Sequence, residues 1–253
     1  MNGKKTIATA LSVLAPAGAI AACGGDNGGD EGKAGSDLPQ GSEPVDLNPA
    51  DFTTNIDHPY WPIKPGSRWV YREFDSEGTE QRVDVTVLRK TKKVASGVEA
   101  AIVHDKVTEG DQLVEDTFDW YAQDRDGNVW YLGEHTTEYE NGKPTTTEGS
   151  WESGRDGGQA GIIVPAKPEP GQTYRQEYYK GHAEDTAEVV GVREQAEVPF
   201  GHFRHVLMTK DLNSLEPKFL ELKFYARGVG PVLSIGVSGG SDREELLSYR
   251  KGG

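Results

Sequence analysis

Cysteine is almost missing from this chain. Cys23 is the only one in 253 residues, so no intrachain disulfide can form and the folded part must be held by its core. Long apolar runs are scarce as well. Residues 6–22 form an apolar, small-residue stretch, but a membrane-spanning helix needs roughly 20 apolar residues. This stretch is shorter and is interrupted by Pro16 and Gly18. Basic charge is the third shortage, with 27 Lys and Arg against 41 Asp and Glu, a net charge of −14. Nucleic-acid binders displace counterions from phosphate with basic patches, so a nucleic-acid partner is excluded. Anionic lipid headgroups would be repelled for the same reason. Finally, outside the N-terminus no segment carries a stripe of apolar residues at helical spacing.

What the N-terminus does carry is a processing pattern. Lys4 and Lys5 precede the apolar stretch, which ends at Ile20-Ala21-Ala22-Cys23. A basic start, a short apolar core and small residues at the cut are the layout of a secretory signal. Ile20-Ala21-Ala22-Cys23 resembles the lipobox of bacterial lipoproteins. The resemblance implies cleavage before Cys23 and a diacylglyceryl group on its sulfur. It also implies attachment to the cell membrane or outer membrane on the extracytoplasmic face, with the bilayer as a partner through Cys23. Loss of residues 1–22 removes Lys4 and Lys5 and moves the net charge from −14 to −16. Residues 24–50 are rich in Gly, Asp, Glu, Ser and Pro, a composition that cannot bury a core and predicts a disordered linker. Such a chain reaches about 30 Å. Residues 23–57 are therefore expected to be tether and linker, and residues 58–250 the folded domain.

Within that domain the period is two. Val83, Val85 and Val87 alternate with Arg82, Asp84 and Thr86. Phe118, Trp120 and Ala122 alternate with Asp119, Tyr121 and Gln123. Such alternation marks half-buried strands, here with Phe118, Trp120 and Ala122 on the covered side. Turn signals at Glu77-Gly78, Ser96-Gly97, Asp126-Gly127 and Asn141-Gly142 separate them. The chain reads as all-β and antiparallel. The second half repeats the first. Pro65-Gly66 matches Pro170-Gly171 at an offset of 105, Trp120-Tyr121-Ala122 matches Phe224-Tyr225-Ala226 at 104, and Gly127 matches Gly230 at 103. Two tandem repeats, about 60–145 and 162–250 with a glycine-rich hinge at 153–161, each offer one apolar face. With no helix to cover either, the repeats are expected to pack as a sandwich or curved half-barrel.

Both repeats are similar in outline to uncharacterised bacterial lipoproteins. There a Pro-Gly-x-x-Trp-x-Tyr strand opens the unit, as in Pro65-Gly66-Ser67-Arg68-Trp69-Val70-Tyr71, and a Tyr-Ala-x-Gly-Val-Gly turn closes it, as in residues 225–230. The first repeat departs at its turn. This resemblance implies fold and location but no activity. By architecture and anchor, the chain also resembles the open β-barrels of envelope lipid-carrier lipoproteins.

Several stretches could carry chemistry. Asp124-Arg125-Asp126-Gly127-Asn128 has the acidic spacing that opens a calcium loop. An EF-type loop, however, needs Gly at position six and Glu at position twelve, where this chain has Val129 and His135. The second repeat keeps the bend as Arg227-Gly228-Val229-Gly230 without the aspartates, so a tight turn is expected. Gly236-Val237-Ser238-Gly239-Gly240 matches a nucleophile elbow, but the required helix and downstream histidine are absent. His202 and His205, three apart, should point to opposite faces of a strand. His182, Glu184 and Asp185 gather three possible metal ligands, and Glu80 with Glu184 occupy equivalent repeat positions; all are expected to be solvated. No metal, cofactor or catalytic set is expected.

The aromatics Trp69, Trp120, Trp130, Tyr174 and Phe224 are placed on the covered side, with Trp61 and Trp151 at segment edges. They are either packed core or the lining of a cavity between curved sheets. The functional expectation is a non-catalytic, membrane-anchored binding or interaction module for an apolar small molecule or an envelope partner. A lipid-anchored hydrolase and a purely structural tethered domain are the alternatives.

Overall fold

The computed structural model of the protein describes residues 38–253; Cys23 and the processing segment lie outside them. The fold is all-β, with a single short 3-10 turn at Pro49–Asp51 among the described residues. The strands are β1 (Phe52–Thr53), β2 (Arg68–Phe74), β3 (Glu80–Lys93), β4 (Glu99–Glu109), β5 (Gln112–Asp124) and β6 (Val129–Glu140). After the short β7 (Lys143–Thr146) and β8 (Trp151–Glu152) come β9 (Gln159–Val164), β10 (Thr173–Arg175) and β11 (Glu177–Tyr178). The chain ends with β12 (Asp185–Val198), β13 (Gly201–Asn213), β14 (Leu220–Ala226), β15 (Gly230–Ser238) and β16 (Arg243–Arg250).

All of them join one antiparallel sheet, in the order β10-β12-β13-β14-β15-β16-β2-β3-β4-β5-β6-β9-β11, with β1 paired to β5 and β7 and β8 paired to β6 beside that path. The two ends of that path are successive halves of one extended segment. Residues 173–175 pair with β12, and residues 177–178 pair with β9. One stretch of chain thus hydrogen-bonds to both edges, curling the sheet into a nearly closed barrel. Curvature satisfies most of the edge groups that an open sheet would expose. Gly161 permits the seam, because a Cβ there would sit 2.3 Å from the Gln176 carbonyl oxygen. One pair of long strands keeps the sequence offset. β3 and β12 are both 14 residues long and begin 105 apart, and β16 is the strand that joins one set to the other. The apolar faces meet inside one curled sheet, the half-barrel form rather than two stacked sheets.

The inside of the barrel has two halves. One is apolar and tight. Trp69, Val87, Val129, Ile162, Val189, Leu207 and Leu246 are all sealed there, and Ile56, Tyr60, Trp61 and Ile63 from the segment before β2 close that end. Trp61 packs on Trp69 with ring centroids 5.3 Å apart, and Tyr249 stacks on the other side at 5.2 Å. Trp69 Nε1 donates to the Val229 carbonyl at 2.8 Å, so the indole is both buried and satisfied.

A second apolar cluster lies on the outside of the sheet. Ala100, Ile102, Trp120, Ala122 and Leu132 form it, and Val45, Leu47 and Phe52 cover it. The stretch from residue 38 to residue 57, expected to be linker, is therefore a strap. The buried Arg175 holds it by donating to the carbonyls of Gly41 and Glu43, each at 2.8 Å, and on the barrel side to that of Ala160 at 2.8 Å. The physical reason is the outer face of β4, β5 and β6. It is apolar where an open barrel would be wet, so it needs a cover, and three spaced apolar side chains suffice.

Candidate functional site

The strap inverts the expected reading of β5. Trp120 and Ala122 face outward under it, while Glu115, Thr117, Asp119 and Tyr121 face the barrel interior and are buried. The same alternation places Glu73 after Trp69 and Tyr71, and Asp105 after Ala101 and Val103. In β14, Glu221 and Lys223 precede Tyr225. The register joins these groups across strands. Thr209 pairs with Lys223, Lys223 with Ser234, Ser234 with Glu244, Glu244 with Glu73, and Glu73 with Gln81. Asp105 pairs with Thr117 and Thr117 with Thr136. Directly opposed residues share a face, so one half of the interior is polar and predominantly acidic.

Lys223 is the single cation in this row. Its Nζ lies 3.1 Å from Asp211 and 3.2 Å from Glu221. Burial alone would lower its pKa, but the Glu221 and Asp211 carboxylates outweigh that and push it up. Asp211 is further held by Thr209 at 2.7 Å and Gln176 at 3.1 Å. Glu221 accepts from Ser234. This corner is a satisfied network.

The remaining carboxylates have less. Asp119 accepts from the Tyr131 hydroxyl at 2.8 Å; burial still raises its pKa to about 7, against the pull of that hydrogen bond. Burial, helped by Glu221, raises Glu244 to about 8. Asp105 is pushed well up by burial and by the Asp119 charge, and Glu73 by burial and by Glu244. Glu177 is pushed up by burial and by its hydrogen-bonded neighbour Asp185, which leaves the proton of that pair on Glu177. Trp151 Nε1 donates to Glu177 at 2.6 Å. Buried carboxyls in a low-dielectric interior keep their protons because the charged form loses its hydration.

Between the acidic and apolar halves is a cavity of about 50 Å³. Trp61, Tyr71, Tyr121 and Tyr225 supply rings to its wall, and Asp105, Asp119 and Glu244 supply carboxyls. Asp105 Oδ1, Glu244 Oε2, the Tyr121 hydroxyl and Trp61 Nε1 are sealed from solvent with no hydrogen-bond partner. A buried polar atom without a partner costs about 1–3 kcal/mol, so four around one cavity mark a place built for a guest or for ordered water. The volume suits a few water-sized atoms. It is far below the roughly 300–1,000 Å³ of a drug-sized site.

Comparison with protein-family models, with curated proteins and with solved structures returned no match to this chain. The site therefore has to be read from its own chemistry.

The five aromatics proposed from sequence do not converge on the cavity. Trp69 and Tyr174 point inward and are fully buried core. Trp120 and Trp130 belong to the outer cluster, with Lys92 Nζ 3.8 Å above the Trp120 ring and Phe52 edge-on to Trp130 at 6.0 Å. Phe224 is half-buried beside its neighbour Tyr225 and packs against the main core cluster. For Trp120 and Trp130 the physical reason is again the strap, which covers large aromatics on the outer face.

The Asp124 stretch is a turn. Asp124 accepts from the Gly127 and Asn128 amides, each at 2.8 Å, and from the Asn128 side chain and Trp130 Nε1, each at 2.7 Å. Those four donors occupy its lone pairs, and Gly127 supplies the positive φ of +100° that the bend needs. His202 and His205 are exposed, and His182 stacks on Tyr179 at 4.6 Å. Glu184 accepts from the Gly181 amide at 2.9 Å and from Ser214, while Glu80 is exposed on the rim. Ser238 Oγ donates to the Lys218 carbonyl at 2.8 Å. No helix follows Ser238. Among the described residues no group of three or more His, Cys, Asp or Glu is placed to hold a metal.

Sequence reasoning missed the interior carboxyls. The signal was there: Asp105, Glu73 and Glu244 stand in phase with the apolar residues of their own strands. A period-two reading that equates inside with apolar discards that information.

Proposed function

We propose that this chain is a lipid-anchored, extracytoplasmic, non-catalytic binding module that takes a small polar ligand into the barrel interior. The lipobox-like Ile20-Ala21-Ala22-Cys23 supports the anchor. A Cys23→Ser variant is expected in the soluble fraction while the parent stays with the membrane.

One observation carries the binding reading. Asp105 Oδ1, Glu244 Oε2 and Tyr121 Oη converge on one cavity, sealed and without partners. The ligand class moves from apolar to polar because the sequence-proposed aromatics are packed core or strap contacts, and none of the five lines this cavity. Among the described residues the exposed large apolar side chains, Val190, Phe200, Leu212 and Val237, lie on different strands or turns. Scattered residues of that kind are normal.

The test is a thermal-shift screen of the full chain against small cations, anions, neutral polyols and fatty acids, with native mass spectrometry for co-purifying mass. A shift from a small polar compound is expected. A response to fatty acids alone, or to nothing, contradicts the reading.

A further inference from the structure

We infer that the cavity walled by Trp61, Tyr71, Tyr121 and Tyr225 and floored by Asp105, Asp119 and Glu244 binds the head group of a small organic ammonium ion. The inference rests on the binding-module reading and names its ligand class. Four aromatic rings and three carboxyls around one space of about 50 Å³ give both halves of ammonium recognition, ring faces for the cation and acceptors for its N–H groups.

Three of the four unpartnered atoms on the wall fit that guest, while the fourth, the Trp61 Nε1–H, is a donor that such a guest leaves to water. Asp105 Oδ1 and Glu244 Oε2 can accept from N–H groups, and the Tyr121 hydroxyl can turn its lone pairs inward. Asp105 is 7% exposed and Tyr121 is fully sealed, so neither is satisfied by bulk solvent. The lysine on the wall does not compete, because Asp211 and Glu221 already hold its Nζ at 3.1 and 3.2 Å. An anion would find no free cation on the wall, and a fatty acid or sugar would exceed the volume.

Binding must exchange charge. Empty, the wall keeps protons on its raised carboxyls; filled, the ammonium charge replaces a proton that leaves to solvent. The titratable groups facing Asp105 and Glu244 are Glu73 and Tyr71 from β2, Glu115, Asp119 and Tyr121 from β5, and Glu221, Lys223 and Tyr225 from β14, with Asp84 acting from the outer face of β3. Except for Lys223, the charged groups among these are acids that disfavour a second negative charge. The guest should therefore bind more tightly as pH rises past about 7 and about 8, where Asp119 and Glu244 titrate.

Isothermal titration of the full chain with methylammonium and 1,4-diaminobutane tests this, with sodium chloride at equal ionic strength as reference, at about pH 6 and about pH 8.5. The expected result is saturable, amine-specific binding at the higher pH, about ten-fold weaker at the lower pH, with proton release seen as a buffer-dependent heat. Asp105→Asn should abolish it. Tyr121→Phe, which keeps the ring and folds on the same packing, should weaken it several-fold. Binding by methylammonium and diamine alike places a bare head group in the cavity; binding by the diamine alone means that an alkyl tail adds contacts, and both support the inference. Absence of any amine-specific signal over sodium, or full binding in both variants, overturns it. If amines fail but a neutral polar compound binds and Asp105→Asn blocks it, the ammonium inference falls while the binding-module reading stands. If nothing binds, both fall.

Discussion

The two halves of the barrel interior are built from the same strands and obey opposite rules. Around Trp69 the rings interlock and the indole's own Nε1 has its acceptor at 2.8 Å. Around Asp105 the wall has carboxyls raised by burial and atoms with no partner. The repeat makes the contrast sharper, because equivalent positions diverge. Trp69 and Tyr174, at an offset of 105, are both sealed core, whereas Asp119 and Lys223, at an offset of 104, are an acid and a base.

Two substitutions should separate the halves most strongly. Trp69→Ala removes a fully buried indole and should cost about 3–5 kcal/mol, by the same amount at acid and neutral pH, as read by urea unfolding. Lys223→Met leaves Asp211 and Glu221 without their shared cation and should cost about 3–5 kcal/mol near pH 8. Below about pH 5 its cost should shrink, since the Glu221 carboxyl, raised by burial, can take up a proton instead. A Lys223→Met cost that does not change with pH would place the acidic half under the same rule as the apolar one.

Next in size is the strap. Phe52→Ala removes one of its three apolar contacts with the outer cluster and should cost about 1–2 kcal/mol. Hydrogen exchange should rise in residues 38–53 while the barrel strands stay protected. Equal loss of protection throughout would mean that strap and barrel form one cooperative unit. The smallest effect is expected at the Asp124 turn. Because its lone pairs are occupied by four donors, added calcium should leave the melting temperature unchanged.

Much of the fold was legible. Alternation in Val83, Val85 and Val87 reports a strand row because one face of β3 is apolar and the other is wet. The offset of 105 reappears in the starts of β3 at Glu80 and β12 at Asp185. The facing of β5 was not legible. Both of its rows carry large side chains, Phe118 and Trp120 on one and Tyr121 with Asp119 on the other, and composition alone cannot rank two coverable faces. What decides is Val45, Leu47 and Phe52, three apolar residues in a stretch whose composition reads as linker. The site was missed for a related reason. A carboxyl in phase with an apolar row resembles an exposed neighbour until the sheet closes around it, and closure depends on residues 173–178 pairing in two directions.

The distinction between the halves is ultimately one of proton content. For a carboxyl whose folded pKa is raised, stability is fully present below the unfolded value near 4 and is lost as pH rises toward the folded value. Here that window runs up to about 7 for Asp119 and about 8 for Glu244. Outer-surface groups run the other way but act lower. Burial would raise Asp84 and Glu245, yet Arg68 and Arg72 hold them below the usual range, so their contribution is lost only in acid. The most direct measurement is the free energy of urea unfolding at about pH 5 and about pH 8, in the parent and in Asp119→Asn, which keeps the Tyr131 hydrogen bond without the charge. The parent should lose stability on the order of 2–4 kcal/mol from acid to neutral, and the variant should lose clearly less. A parent whose stability is flat or rises over that interval would contradict the account of a proton-holding acidic half.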